Sequence, residues 1–329
     1  MIDNAWYAVL TADAIGTKPT KVRLLHRDLV VYQDEMGQIR AVQAYCPHRG
    51  CDLSLGFIVD NLLTCPYHGW RFDGNGVCTH IPANRKGEGI PRSARLHTFS
   101  VCEAAGLVWV TLGSPDDTMT HMPAPAAALE LSDPNWHWIS FQTVWNAHMC
   151  RVAESVLDVS HLPFVHPETT GEDVSPIVDG PEYHMQEGHI RIYPRPFTHP
   201  MEPQNLDPSE ASGDLRTEIE MWFPNQWIIR TPIGLERRMC TYLTFTPIDD
   251  ETTVIWGQIG RNFDRDSEFL DVFHLEHTQF VMHQDQVIVE SLRPIKPPRL
   301  KEEAHVASDG PCIRYRHLWF QTIAGEAAT

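Results

Sequence analysis

The chain has no apolar run approaching the roughly 20 residues that a helix needs to cross a bilayer, so no membrane span is expected. Cysteine is sparse, at 8 in 329 residues. That is too few for a disulfide scaffold, and free or metal-bound thiols are the expected state. The opening residues, MIDNAWYAVLTADAIG, hold neither a basic segment nor an apolar core. No secretory signal is therefore expected, and a cytoplasmic protein is. Positive charge is scarce too, with 26 Lys+Arg against 43 Asp+Glu and a net charge of −17. Nucleic-acid binding relies on phosphate neutralisation by Lys and Arg, so neither nucleic acid nor a membrane is an expected partner. No G-x-G-x-x-G follows a strand, which argues against the nucleotide site of a reductase. There is no internal repeat and no low-complexity tract.

What is present is a globular composition, 42% apolar and 21% charged. The length suits one large domain or two ordinary ones. From Trp6 to about Leu112 short strands alternate with turn signals. KVRLLHRDLVVYQDEMGQIRAVQAYC reads as strands about a turn at Asp34–Gly37, and GLVWVTLGS as a closing strand. GSPDDTMTHMPAPAA is the expected boundary between domains of residues 1–118 and 119–329. The second region opens on a helical stretch, WNAHMCRVAESVLDVSHLPFVH. Strands rich in β-branched and aromatic residues follow: HIRIYPR, RTEIEMWF, QWIIRTPIG, RMCTYLTFTP and TTVIWGQIGRNF. The last two flank IDDE, a hairpin turn, and a long helix is expected from Ser267 to about Leu292. The Pro-rich polar stretch Pro196–Asp214 has the length and composition of a flap. Charge divides in the same way, with 11 Lys+Arg against 12 Asp+Glu up to Thr118 and 15 against 31 beyond. An acidic second region favours a neutral or cationic substrate, unless Arg151, Arg191 or Arg230 reverses that locally.

CPHRGCDLSLGFIVDNLLTCPYHGW carries Cys46, His48, Cys65 and His68 as C-x-H, 16 residues, then C-x2-H. Zinc sites usually pair like ligands. Here each of two loops supplies one thiolate and one imidazole. That suits a binuclear cluster, with both cysteines on one iron and both histidines on the other. It is the ligation of a Rieske [2Fe–2S] centre, whose imidazoles raise the reduction potential. An atypical zinc site is the alternative.

A second constellation is ESVLDVSHLPFVH, in which Asp158, His161 and His166 follow D-x2-H-x4-H. Asp158 and His161 are i, i+3 neighbours if the segment is helical. Pro163 makes the helix end or distort between the histidines. Two histidines need one carboxylate to complete the facial triad of non-haem Fe(II), which leaves positions open for O2. Asp285 is the candidate, at helical spacing from Val281, Ile288 and Leu292 on the apolar face of the last long helix. The alternatives are a helix-surface acid and two ordinary core histidines.

CPHRG, CPYHGW and DVSHLPFVH together resemble the signatures of α-subunit-only Rieske non-haem iron oxygenases, in matching order over essentially the whole chain. The chain is similar to the group of vanillate O-demethylase, dicamba monooxygenase, toluenesulfonate methyl-monooxygenase and the caffeine demethylases. LDVSHLPFVH and EEAHVASDGPCIRYRHLWF look like the saxitoxin-pathway hydroxylases. The resemblance implies an α+β chain: a Rieske β-domain, then a helix-grip (START-like) catalytic domain with an antiparallel sheet. It implies His161, His166 and Asp285 as ligands of a mononuclear Fe(II), and a head-to-tail homotrimer. Asp158 would bridge subunits there, between His68 of one chain and His161 of the next. It also implies an NAD(P)H-dependent reductase or ferredoxin partner, O2 as co-substrate, and hydroxylation or demethylation of a small aromatic or alkaloid-like molecule. Ring dihydroxylation is the alternative reaction. A Rieske electron carrier without oxygenase activity is the alternative class, and it would leave the second motif unused. Met149, Val152, Leu243, Trp256 and Gln258 are the expected pocket residues. The family often has Asn where Ser155 stands. Respiratory Rieske proteins bridge their two loops by a disulfide. Tyr67 occupies the matching position of the second loop, so Cys51 is expected to be free.

Overall fold

RDLVVYQ and IRAVQ, each with its middle residues buried, meet across a turn in which Gly37 N donates to Asp34 O at 2.9 Å. Gly37 has a φ of 80°, a conformation that favours glycine. The computed structural model describes residues 2–113, 124, 126–171, 182–186, 188–193, 217–234 and 236–326. The expected flap Pro196–Asp214 and the expected boundary at 118–119 lie outside them. The chain divides into two compact units, Asp3–Met119 and Thr120–Thr329, the second including Met1–Ile2.

Among the described residues the first unit is built of β-strands, with two short 3-10 turns at Ala12–Ala14 and Leu53–Leu55. Its strands are β1 (Tyr7–Thr11), β2 (Thr20–Leu24), β3 (Arg27–Gln33), β4 (Ile39–Gln43), β5 (Phe57–Val59), β6 (Leu62–Thr64), β7 (Arg71–Phe72), β8 (Cys78–His80), β9 (Thr98–Ala104) and β10 (Leu107–Thr111). Six of them form a sheet in the order β1-β10-β9-β4-β3-β2, and β5 to β8 form a small meander. Val30, Val42, Leu53, Leu63 and Phe72 make one buried cluster with Cys46 and Cys65.

The second unit is built on β11 (His137–Trp145), which is followed by α1 (Met149–Leu157) and the short α2 (Leu162–Val165). Then come β12 (Glu182–Gln186), β13 (His189–Tyr193), β14 (Glu218–Trp222), β15 (Gln226–Pro232), β16 (Arg238–Pro247), β17 (Thr253–Arg261), α3 (Glu268–Ser291) and α4 (Gly310–Glu326). The seven strands form an antiparallel sheet, β11-β17-β16-β15-β14-β13-β12. β11 and α4 were not anticipated from the sequence. The mixed HWISFQTVW run has only weak alternation, and α4 mixes charged and aromatic residues on all sides.

Two expectations change. The helix was expected to end or distort between His161 and His166 at Pro163, but it ends earlier, where Asp158 turns extended after α1 (φ −78°, ψ 126°), and Pro163 sits in the first turn of α2, which joins the two histidines. And α3 buries only Met282 and Val289, leaving Ile288 47% and Leu292 36% exposed. Its apolar residues therefore face open space on this unit as well as its core.

Candidate metal centres

Two loops of the β-rich unit share one backbone plan. In the first, Cys46 N donates to Cys51 O and Gly50 N to Cys46 O, both at 2.9 Å. In the second, Cys65 N donates to Trp70 O at 2.9 Å and Gly69 N to Cys65 O at 3.0 Å. Each turn closes on a glycine four residues after its cysteine, with φ of 69° at Gly50 and 68° at Gly69, where a β-carbon is disfavoured. The loops differ in where the histidine stands, second after the cysteine in one and third in the other. The two plans bring all four side chains into one neighbourhood.

Cys46 and Cys65 are 3% and 2% exposed. The His48 and His68 rings lie 4.5 Å apart, and Trp70 stacks on His48 at 4.5 Å with planes 7° apart. Burial, reinforced by the neighbouring Cys65 sulfur, pushes the Cys46 thiol up to about 12. His48 Nδ1 is buried and has no hydrogen-bond partner among the described residues. A buried thiol that resists ionising alone, beside an orphaned imidazole nitrogen, is a group that a bound metal would satisfy. The donor set of two thiols and two imidazoles fits a [2Fe–2S] cluster. All eight cysteines are free, Cys51 included.

In the second unit, His161 begins α2, His166 ends it, and Asp285 projects from α3. One ligand atom from each lies within 4.8 Å of the others. A single oxygen, Asp285 Oδ1, is 2.9 Å from His166 Nε2 and 3.4 Å from His161 Nε2. His166 is 1% exposed, and its Nδ1 is 2.9 Å from Gln284 Oε1. An N–H on Nδ1 donating to that oxygen leaves Nε2 as the free donor atom, the usual support of a metal-bound imidazole. Burial works against charge on His166, and the Asp285 carboxylate overcomes it and raises its pKa. The two imidazoles and one carboxylate fit an iron facial triad. Sequence reasoning missed Gln284, whose only signal is that it precedes Asp285.

Asp158 stands behind this group, with Oδ2 3.8 Å from His161 Nδ1. Its Oδ1 accepts from both Ser160 N and Ser160 Oγ at 2.7 Å. Burial would raise its pKa, but His161 and Ser160 outweigh burial and lower it. Ser155 Oγ donates to Val152 O at 2.9 Å, a bond back into its own helix.

Two cavities of about 290 Å³ each meet at Ser155, Asp158, His161 and Asp285. One is charged, walled by Arg151, Glu154, Glu303 and Arg316. Arg151 Nη2 holds Glu303 Oε1 at 2.6 Å, and Arg316 bonds both Glu154 and Glu303. The other is mostly apolar and runs between α3 and the sheet. Leu243 lines it. Met149, Val152, Trp256 and Gln258 do not. Met149 and Val152 are wholly buried on α1, whose residues Ser155 and Val156 reach the cavity instead. Leu243 pairs with Gly257, so its neighbours Trp256 and Gln258 point to the opposite face of the sheet. Arg191 and Arg230 also lie off this cavity. They bind Glu220, at 2.8 Å from Arg191 Nε and 2.6 Å from Arg230 Nη1.

The Rieske [2Fe–2S] domain family matches residues 5–100, and the vanillate O-demethylase oxygenase C-terminal domain matches residues 145–324. Methylxanthine N1-demethylase NdmA of Pseudomonas putida is 29% identical over 337 residues, spanning 97% of this chain and 88% of that protein. The oxygenase component of dicamba O-demethylase from Stenotrophomonas maltophilia is 24% identical, spanning 94% and 91%. The structure of NdmA from Pseudomonas putida CBB5 with caffeine superposes with a TM-score of 0.79 at 25% identity, covering 96% of this chain and 89% of that one. Dicamba monooxygenase bound to dicamba shares the fold, with a TM-score of 0.79 at 22% identity and coverage of 100% and 99%. With both domain families in sequence order and the two donor sets assembled, the chain belongs to the Rieske non-haem iron oxygenases, oxidoreductases that use a [2Fe–2S] cluster, a mononuclear iron and O2.

Proposed function

We propose that this chain is the terminal oxygenase of a multicomponent system. It takes electrons from an NAD(P)H-dependent reductase or ferredoxin and hydroxylates or oxidatively demethylates a small organic molecule. The observation that carries this is the meeting of His161, His166 and Asp285 on one carboxylate oxygen at the wall of a mostly apolar cavity. In this reading residues 1–118 hold the cluster through Cys46, His48, Cys65 and His68, and residues 119–329 hold the iron through His161, His166 and Asp285. When bound, the cluster supplies single electrons and the iron activates O2.

The chain's own groups have distinct tasks. Gln284 keeps the His166 proton on Nδ1. The Leu243, Ile229 and Val281 side chains exclude water from the substrate side. Asp158 Oδ2 faces His161 Nδ1 at 3.8 Å, where it can orient that ring by charge, and in a head-to-tail homotrimer it would accept an N–H from His68 of the partner subunit. That gives a short path through Asp158 from one chain's cluster loops to the next chain's iron site. The charged cavity supports this reading, since Asp158 and His161 line it as well as the apolar one, so Asp158 can be approached apart from the substrate's apolar wall. Eight cysteines without a disulfide, two of them cluster ligands in this reading, suit a reducing cytoplasm.

Oxygen uptake with added reductase and NADH tests the reaction. Wild type should consume O2 in step with hydroxylated product or formaldehyde. His161→Ala should keep the cluster absorbance and lose uptake by at least about 100-fold. Iron-replete protein that reduces its cluster yet transfers no oxygen to any methylated aromatic or alkaloid would leave only the electron-carrier function.

A further inference from the structure

The register of the sheet assigns direction to the apolar cavity. Trp227, Leu243, Gly257 and Phe141 pair across β15, β16, β17 and β11 as one rung. Ile229, Thr241, Ile259 and Ile139 form the next, and Thr231, Met239, Arg261 and His137 the third. α3 runs alongside in the same sense as β11. His137 Nε2 meets Asp271 Oδ1 at 3.0 Å near one end, and Asn146 N donates to Glu290 Oε1 at 2.8 Å near the other. At a rise of about 1.5 Å per helical residue and about 3.3 Å per strand residue, His277 falls level with the Thr241 rung. Asp285 lies beyond the Leu243 rung. His277 and Asp285 are two helical turns apart, about 12 Å along the axis and on the same face.

Along that length the wall changes character. Leu243, Trp227, Val281 and Met282 come first from the Asp285 end, then Thr241 and Thr278 with His277. Thr169 and Thr170 add hydroxyls from the turn after His166. Apart from Asp158, His161, His166, Asp285 and the buried Cys240 thiol, His277 is the one ionisable side chain among the described residues of the lining. No Lys or Arg is among them. The His277 ring stacks on Phe273 at 6.3 Å, and its nitrogens have no hydrogen-bond partner among the described residues. The residue is exposed on one side, and the burial of the rest of the ring lowers its pKa; in its neutral form the imidazole offers one donor and one acceptor.

We infer that this cavity selects an uncharged molecule whose polar end hydrogen-bonds to His277, with Thr241 and Thr278 beside it, while its apolar end lies against Leu243 and Val281 toward Asp285. A carboxylate or ammonium in place of that polar end would meet no counter-charge beside His277 among the described lining residues. The inference rests on the oxygenase reading for which end reacts, but not for binding.

The test uses three rigid probes of one shape: 4-methoxybenzamide, 4-methoxybenzoate and 4-methoxybenzamidinium. Calorimetric binding is measured on the full iron-loaded protein, apart from turnover. The amide should bind at least about tenfold more tightly than either ion. His277→Ala should weaken the amide about five- to tenfold, the range of one net hydrogen bond. His277→Gln, which keeps a neutral donor and acceptor, should restore most of that affinity. An ion that binds as tightly as the amide, an amide affinity unchanged in His277→Ala, or no binding by any probe at millimolar concentration would overturn the inference. Formaldehyde release is scored separately. Binding of the amide without turnover would count against the oxygenase reading and leave the cavity assignment standing. Turnover of the benzoate alone would do the reverse.

Discussion

At the scale of the residue, Asp158 uses its two oxygens differently. Oδ1 caps the Ser160 turn, while Oδ2 faces His161. Asp158→Asn can keep the turn through its amide oxygen but replaces the acceptor facing His161 with a donor. Both metal centres should persist in this variant, and a reductase should still reduce the cluster. Product formation should fall by about 10–100-fold, the usual cost of losing a group that orients a metal ligand. In single turnover, with substrate and O2 present, the loss should be seen as slow cluster reoxidation. Wild-type reoxidation in Asp158→Asn would remove this carboxylate from the electron path.

At the scale of the element, β17 is buried along its whole length, and two of its positions are closed to any side chain. A β-carbon on Gly257 would stand 2.1 Å from the Phe141 ring, and one on Gly260 would stand 2.6 Å from the Trp138 ring. Each aromatic ring lies across the glycine it pairs with. Gly257→Ala should cost about 1–3 kcal/mol by overpacking. Phe141→Leu added to it should cost less than the sum of the two single changes, because they share that space. Denaturant midpoints of the four proteins decide this, and strict additivity would reject the contact.

β14 supplies a pH-dependent link. Burial alone would raise the pKa of Glu220. His189, Arg230 and Arg191 overcome that and hold it at about 2, below its ordinary 4.5. A carboxylate depressed by folding adds stability that is complete above about 4.5 and is lost as pH falls toward about 2. Glu220→Gln should therefore be less stable than wild type at pH 7. That gap should narrow by roughly 3 kcal/mol between pH 5 and pH 2. A gap that stays constant over this window would mean that Glu220 does not couple folding to protons.

At the scale of the whole molecule, the proposed division of labour has a chemical and a genetic consequence. Anaerobically prepared protein should hold about three irons per chain, two of them with acid-labile sulfide. Zinc in the first site, or absence of labile sulfide, would contradict it. In mixed oligomers, a His68→Ala chain and a His161→Ala chain should together recover part of the activity. Their defects then lie on opposite partners of a working pair. Asp158→Asn with His161→Ala should recover none, since both defects lie on the iron-holding partner. Mixed oligomers of the first pair without any recovery would argue that electrons stay within one chain.

The donor loops were legible in the sequence because their geometry is local. Cys46 with Gly50 and Cys65 with Gly69 each define one tight turn, and the intervening β5–β6 hairpin is short enough for residue order to bring the two turns together. His161 and His166 were legible for the same reason, five residues apart around a single helical turn. The strands from β13 to β17 and the length of α3 also followed from side-chain pattern. Tertiary structure alone decided what depends on distant segments meeting. It brought Gln284 to His166 across 118 positions of chain. It placed the helix break at Asp158, whose carboxylate accepts from Ser160, and not at Pro163 between the histidines. It also chose the faces of the sheet. Alternation says that Leu243 and its neighbours point to opposite sides, but only the pairing of β16 with β17 and the position of α3 decide which side is the cavity. Trp256 and Gln258 fell on the other face because a period of two carries no sign.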